Sequence, residues 1–231
     1  MPGEEKITKI RVIFTVFFLT LITSTILILS GDYRWIEGWF FSFWFIILCL
    51  AAIVYLYRKD PALLAERYRQ NADNQAGWDK YFMHALKLLF LIWLFIMPLD
   101  SKKFHWSPAF PVWLKILGGF ALLFSAFFMY RSYTDNTYLS PLVRIQSERK
   151  QKLVSTGVYG CIRHPLYLGG ILMFLGGPVL LGSIMGLLAG IILTLLFVGR
   201  IAREEKLLQK ELGGYETYKK KVKFRLIPFI W

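Results

Sequence analysis

Residues 163–205 read RHPLYLGGILMFLGGPVLLGSIMGLLAGIILTLLFVGRIAREE. The segment 165–199 carries no charge, yet it is too long for one membrane crossing. A helix needs about 20 apolar residues to span a bilayer core. Gly182-Ser183 lies near the middle of the run, just after Pro178. The stretch therefore reads as a tight helical hairpin, 166–181 and 184–199. A turn at Gly182 returns both arms to one membrane face. Arg163-His164 and Arg200-Glu204-Glu205 then become neighbours despite their separation in sequence. Ionisable groups at the mouth of a membrane segment are costly to desolvate, which makes them candidates for function.

The rest of the chain supports a membrane setting. It has 231 residues, of which 56% are hydrophobic and 17% aromatic. Residues 12–30, 39–57, 88–99 and 116–130 are also free of charge. Lys87 and Lys115 can snorkel at the ends of the two shorter runs. The expected fold is an all-α integral membrane protein of five to six transmembrane helices, including the C-terminal hairpin. Residues 1–130 supply about four helices. Residues 131–231 supply a candidate catalytic region with the hairpin and a cytoplasmic C-terminal helix. Within 58–67, Pro61 marks the start of a short helix lying on the membrane surface.

The net charge of +13 is unevenly spread. Lys6, Lys9 and Arg11, and the segments 58–82, 131–165 and 200–231, hold 23 basic residues, against three in the alternate loops (Arg34, Lys102 and Lys103). This bias predicts a multi-pass protein with both termini in the cytoplasm. It favours anionic lipid over nucleic acid as the partner of the basic face. The N-terminal run reads as a retained anchor, not a cleaved signal. Cys49 and Cys161 provide neither a disulfide framework nor a metal site. No dinucleotide, P-loop or nucleophile-elbow motif is present, and no histidine cluster for a metal. His84 and His105 read as interfacial or surface residues. Gly182, Gly186 and Gly190 recur every four residues, a spacing that lets helix backbones approach closely.

The polar residues leave more than one reading open. Arg200 and Glu204 stand four apart on one helical face and fit a surface ion pair as well as a site. Pro165 suits the first turn of a helix, which places Arg163 and His164 at its N-terminus. An anionic ligand group suits that position, and so does a plain topology signal. Tyr159, Tyr167, Tyr215 and Tyr218 fit an aromatic belt.

Leu153-Val154, Gly157-Val158-Tyr159, Arg163-His164-Pro165-x-Tyr167-x-Gly169, Arg200-x-x-x-Glu204-Glu205-x-x-Leu208, Gly214-Tyr215-x-x-Tyr218 and Pro228 follow one another in fixed order. In these motifs the region 140–231 resembles the isoprenylcysteine carboxyl methyltransferase family and the wider membrane methyltransferases that include phospholipid N-methyltransferases. The resemblance implies S-adenosyl-L-methionine as cofactor, held in a cytoplasm-facing pocket without a dinucleotide fold. It implies that Gln151, Lys152, Leu153, Val154 and Tyr159 line the donor. His164, Pro165, Leu166 and Tyr167 would form the helix-mouth part, and Glu204 would take the donor's amino group. Arg200 would hold the acceptor, and Glu205 is a candidate base if the acceptor is an amine. The implied partner is a lipophilic small molecule or lipidated acceptor reached from membrane lipid. Carboxyl O-methylation is the first expectation and phospholipid N-methylation the second. The alternative is an NADPH-dependent enzyme of the sterol-reductase type.

Overall fold

The computed structural model describes residues 9–228, 230 and 231. Lys6, one of the basic residues in the topology argument, lies outside them, as do the side chains of Lys9 and Arg11. The described elements are helices and short turns. Helix α1 spans Lys9–Ser30, α2 Ile36–Lys59, α3 Pro61–Arg67, α4 Gly77–Pro98 and α5 Val112–Asp135. They are followed by α6 Pro165–Leu181, α7 Ile184–Glu211 and α8 Tyr215–Lys221. Five helices (α1, α2, α4, α5 and α7) are long and apolar enough to cross a membrane, and α6 is a shorter apolar helix. The all-α membrane architecture expected from the charge-free runs is what folds. Side chains such as Phe14, Phe43, Phe120 and Leu195 remain exposed, an outward apolar surface suited to lipid.

The starts of α3, α6 and α7 and the end of α6 have a local cause. Asp60 caps α3, its carboxylate accepting from the Leu63 amide at 2.9 Å, and Pro61 occupies the first turn. Proline likewise opens α6, as expected from Arg163-His164-Pro165. Gly182 ends α6 in the left-handed region at φ 74°, a conformation that costs glycine little. Ser183 then caps α7, its hydroxyl accepting from the Gly186 amide at 2.8 Å.

The hairpin turn is also held from outside. The Ser183 and Ser107 hydroxyls donate to the wholly buried Asp100 carboxylate at 2.6 and 2.7 Å, and the Met185 amide donates at 3.0 Å. Asp100 belongs to a single π-type turn, Leu99–Lys103, that prolongs α4.

The core forms where α6 meets α4, α5 and α7. Trp93, Leu94, Met97, Leu122 and Leu193 are fully buried there. The Trp93 indole donates to the Phe174 carbonyl at 3.1 Å, so its polar edge is satisfied inside the core. Small residues make the contacts close. A Cβ on Gly190 would collide with the Phe174 carbonyl, and one on Gly118 with the Leu180 amide and the Gly176 carbonyl. The regular glycine spacing of the hairpin is thus only part of the pattern. Gly118 and Gly176 bring α5 onto α6 just as tightly, and they do not share that period.

Close packing of this kind tolerates little added volume. Gly118→Val should destabilise the protein by about 1–3 kcal/mol through overpacking. A lower melting temperature of the detergent-solubilised variant would show it, and an unchanged one would mean that α5 and α6 do not touch there.

Candidate functional site

The hairpin brings its two polar clusters together, and the contact has a definite centre. Glu205, 2% exposed, lies on α7 with three basic groups around its carboxylate. Arg163 Nε donates to Oε1 at 2.7 Å and Arg225 Nε to Oε2 at 2.8 Å. His164 Nε2 lies 3.2 Å from Oε1. Arg163 also donates to the carbonyls of Val222 and Lys223, each at 2.7 Å. The backbone completes the knot. The amides of Arg163 and His164 donate to the carbonyls of Phe224 and Arg225.

An anion does sit at the mouth of α6, and the chain supplies it. Arg163 Nε and Nη1 are engaged by Glu205 and two carbonyls, and the residue also lines the neighbouring cavity. Glu205 does not line the neighbouring cavity, and its oxygens are engaged by three partners. That arrangement differs from the general base expected for an amine acceptor, because a base needs an available lone pair aimed at the acceptor. The Glu205 carboxylate instead ties Arg163, His164 and Arg225 together.

The cavity opens beside this knot. Gln151, Lys152, Leu153, Val154 and Tyr159 line one side, and His164, Pro165, Leu166 and Tyr167 line the mouth of α6. Glu204 completes the wall from α7. One Glu204 oxygen accepts from the Tyr167 hydroxyl. All ten residues named for the cofactor by resemblance therefore share one cavity. Residues 151–154 reach it from a segment with no regular secondary structure. Leu153 packs there with Leu208, Leu212, Tyr215, Tyr218 and Val222.

Tyr215 and Tyr218 join the cavity as well. Gly214, at φ 82°, turns the chain sharply enough to start α8 beside α7. Burial pushes the Tyr218 phenol up to about 12, so it stays protonated, and it donates to the Tyr159 carbonyl at 2.7 Å. Burial and then the nearby Glu205 and Glu204 carboxylates raise Tyr215 further. Its buried hydroxyl has no hydrogen-bond partner among the described residues. A buried donor left unmade is expensive, and one aimed at a cavity wall suits a polar ligand.

Arg200 reaches the ten only through Tyr167, whose ring centre lies 6.0 Å from its guanidinium. It is 7% exposed and does not line that cavity. No ion pair joins it to Glu204. Its Nη2 lies 3.0 Å from Asp79 Oδ1 and donates to the Pro141 carbonyl at 2.6 Å. The guanidinium also covers the Phe82 ring at 5.0 Å. Its Nε is buried without a partner, a donor left over after these contacts.

Two residues of this arrangement were not legible in the sequence. Asp79 follows Gly77-Trp78 at the start of α4 and reads as an ordinary first-turn acid. It is wholly buried and also accepts from the Val143 amide at 2.9 Å. Arg144 lies among the scattered charges of the loop after α5. It makes a bidentate pair with buried Glu66 of α3, at 3.0 and 2.7 Å, and reaches Glu148 at 2.6 Å. Burial opposes its charge, but these carboxylates more than offset that and raise its pKa above the ordinary arginine range. The pair clamps the loop that carries part of the cavity wall.

The comparisons agree with this geometry. Residues 113–214 match the model of the family described as phospholipid methyltransferase. This segment is similar to that family. It includes α6, α7 and all ten cavity residues named above. Among curated proteins, a delta(14)-sterol reductase of Mus musculus is 30% identical over 105 residues, covering 44% of this chain and 25% of the relative. A delta(14)-sterol reductase of Schizosaccharomyces pombe is 27% identical over 155 residues, covering 61% and 37%. A protein-S-isoprenylcysteine O-methyltransferase B of Arabidopsis thaliana is 30% identical over 131 residues, covering 56% and 63%. The chain thus spans from a quarter to just under two thirds of the length of these relatives. Among solved structures, a eukaryotic intramembrane Ras methyltransferase (isoprenylcysteine carboxyl methyltransferase) matches with a TM-score of 0.48. It is 19% identical, over 96% of this chain and 87% of that one.

Removing the central carboxylate tests the knot. Glu205→Gln should destabilise the fold by about 3–5 kcal/mol, because buried Arg163 loses its counter-charge. Denaturant unfolding in mild detergent measures this, and a cost below about 1 kcal/mol would put the pair among weak surface bridges.

Proposed function

We propose that this protein is an integral membrane methyltransferase that uses S-adenosyl-L-methionine and acts on a lipid-like or lipidated acceptor. The observation that carries the reading is the convergence on one cavity of ten residues matching the family pattern, with a carboxylate in its wall. The donor is a sulfonium with an ammonium and a carboxylate, and it supplies an activated methyl group when bound. The cavity residues suit it. Glu204, oriented by Tyr167, is an acceptor for the ammonium. The unpartnered Tyr215 hydroxyl and the polar chain at 151–155 offer contacts for the remaining polar groups. Leu153, Val154 and Leu166 give the apolar contacts.

The protein's work is then chiefly positioning. A carboxylate acceptor is already a nucleophile at neutral pH and needs no base. Orientation in line with the methyl group and exclusion of water supply the rate. Arg200, its guanidinium fixed by Asp79 and the Pro141 carbonyl, is the group that orients the acceptor. The tight engagement of Glu205 favours carboxyl O-methylation, which needs no base, over N-methylation. The basic segments around the cavity favour a cytoplasmic face for it.

A sterol-reductase type of enzyme is the competing reading, given the two reductases among the relatives. Calorimetry of the purified protein with S-adenosylhomocysteine and with NADPH separates the two. Binding of the first is expected, and binding of NADPH alone would overturn the methyltransferase assignment. Glu204→Gln should weaken S-adenosylhomocysteine about 10–100-fold, the worth of a hydrogen bond to a charged group. Unchanged affinity would remove Glu204 from the donor site. Arg200→Lys should lower turnover by about ten-fold or more while donor affinity holds, since the planar fork is lost. Equal loss of both would assign Arg200 to the donor instead.

A further inference from the structure

A second polar cavity, of about 270 Å³, lies beside the first, with Leu142 in the wall of both. Its floor is one face of α4. Lys80, His84 and Lys87 follow one another at helical spacing there, just before the charge-free run that begins at residue 88. Arg67 and Arg69 close it from the end of α3. Carboxylates answer only part of this charge. Arg69 lies 3.5 Å from Glu66 and 3.7 Å from Glu148. Asp79 is turned toward Arg200. Arg67, Lys80 and Lys87 have no carboxylate partner among the described residues.

One buried group also faces this cavity unmatched. Gln75 is 7% exposed and lines the wall. Its Nε2 donates to Asp79 Oδ2 at 2.9 Å, which fixes the amide orientation. Its Oε1 is then a buried acceptor with no donor. A ligand that fits must bring negative charge for the lysines and a hydrogen-bond donor for Gln75. A phosphodiester without a hydroxyl substituent brings the charge but no donor.

The cavity also adjoins the helix bundle. Arg67 and Tyr68 line it, and they line a third, largely apolar cavity of about 350 Å³ as well. That third space lies among α1, α2, α4, α5 and α6, with Leu48, Phe90 and Met173 in its walls. A cation-lined cavity next to an apolar one, with Arg67 and Tyr68 in the wall of both, matches the two-part chemistry of a lipid. We propose that these two cavities bind one anionic phospholipid, its hydroxyl-bearing head group, of the phosphoglycerol kind, between Lys80, Lys87 and Gln75, and one chain in the apolar space. The excess of cations favours a net anionic head over a zwitterionic one. The inference is independent of what the first cavity binds.

The test uses the whole purified protein in neutral detergent. Short-chain phosphatidylglycerol, phosphatidylcholine and phosphatidylmethanol are titrated in turn. Phosphatidylglycerol should bind about ten-fold tighter than phosphatidylcholine, and Lys80→Gln with Lys87→Gln should abolish that margin at unchanged melting temperature. Phosphatidylmethanol keeps the charge and lacks the hydroxyl, so weaker binding than phosphatidylglycerol is expected of the unmutated protein. Equal binding of all three lipids would overturn the proposal, and so would a margin that survives in the double variant. Equal binding of the two anionic lipids would overturn the role of Gln75. These comparisons among lipids on the unmutated protein stand even if the double variant fails to fold.

Discussion

The structure around the cavity depends on one carboxylate. Glu205 comes from α7, Arg163 and His164 from the start of α6, and Arg225 from the C-terminal tail. Three distant parts of the chain meet at its two oxygens. A charge that deep is tolerable only when it is fully paired and its remaining lone pairs are used. Once paired, it fixes where α6 begins relative to α7. That fixes Tyr167 against Glu204, and so the cavity wall.

The opposite end of the bundle is held by the same device with a different chemistry. Asp100 receives two serine hydroxyls and a backbone amide at the hairpin turn. Between these two polar ends the helices approach on small residues, Gly118 against Gly176 and Gly190 against Phe174. In an apolar solvent there is little hydrophobic drive to associate, so close packing and buried polar contacts must position the helices. The hairpin is thus pinned at both ends, and the cavity occupies the end where charge gathers.

Arg200 shows why a residue type at the right spacing is not yet a role. Read along the helix, it pairs with Glu204 four residues on. In the fold it turns to Asp79, from a helix that the sequence offers as scaffold only. Glu204 is thereby left to Tyr167 and the cavity. The division follows from burial. Asp79 is wholly enclosed and needs a counter-charge more than a partly exposed Glu204 does.

The sequence alone determined the helical membrane architecture, because apolar runs of bilayer length have few alternatives. It also determined the hairpin and its turn, since Pro165, Gly182 and Ser183 act through local backbone geometry. The contiguous motif His164 to Tyr167 was marked as a site by its resemblance to a family, not by local geometry. Tertiary structure alone decided the pairings: Arg163 with Glu205, Arg200 with Asp79, Arg144 with Glu66. A charge has no preferred partner along the chain, and its partner is set by which groups are buried together. It alone also decided that Arg163-His164 at the helix mouth faces an anion of this same chain.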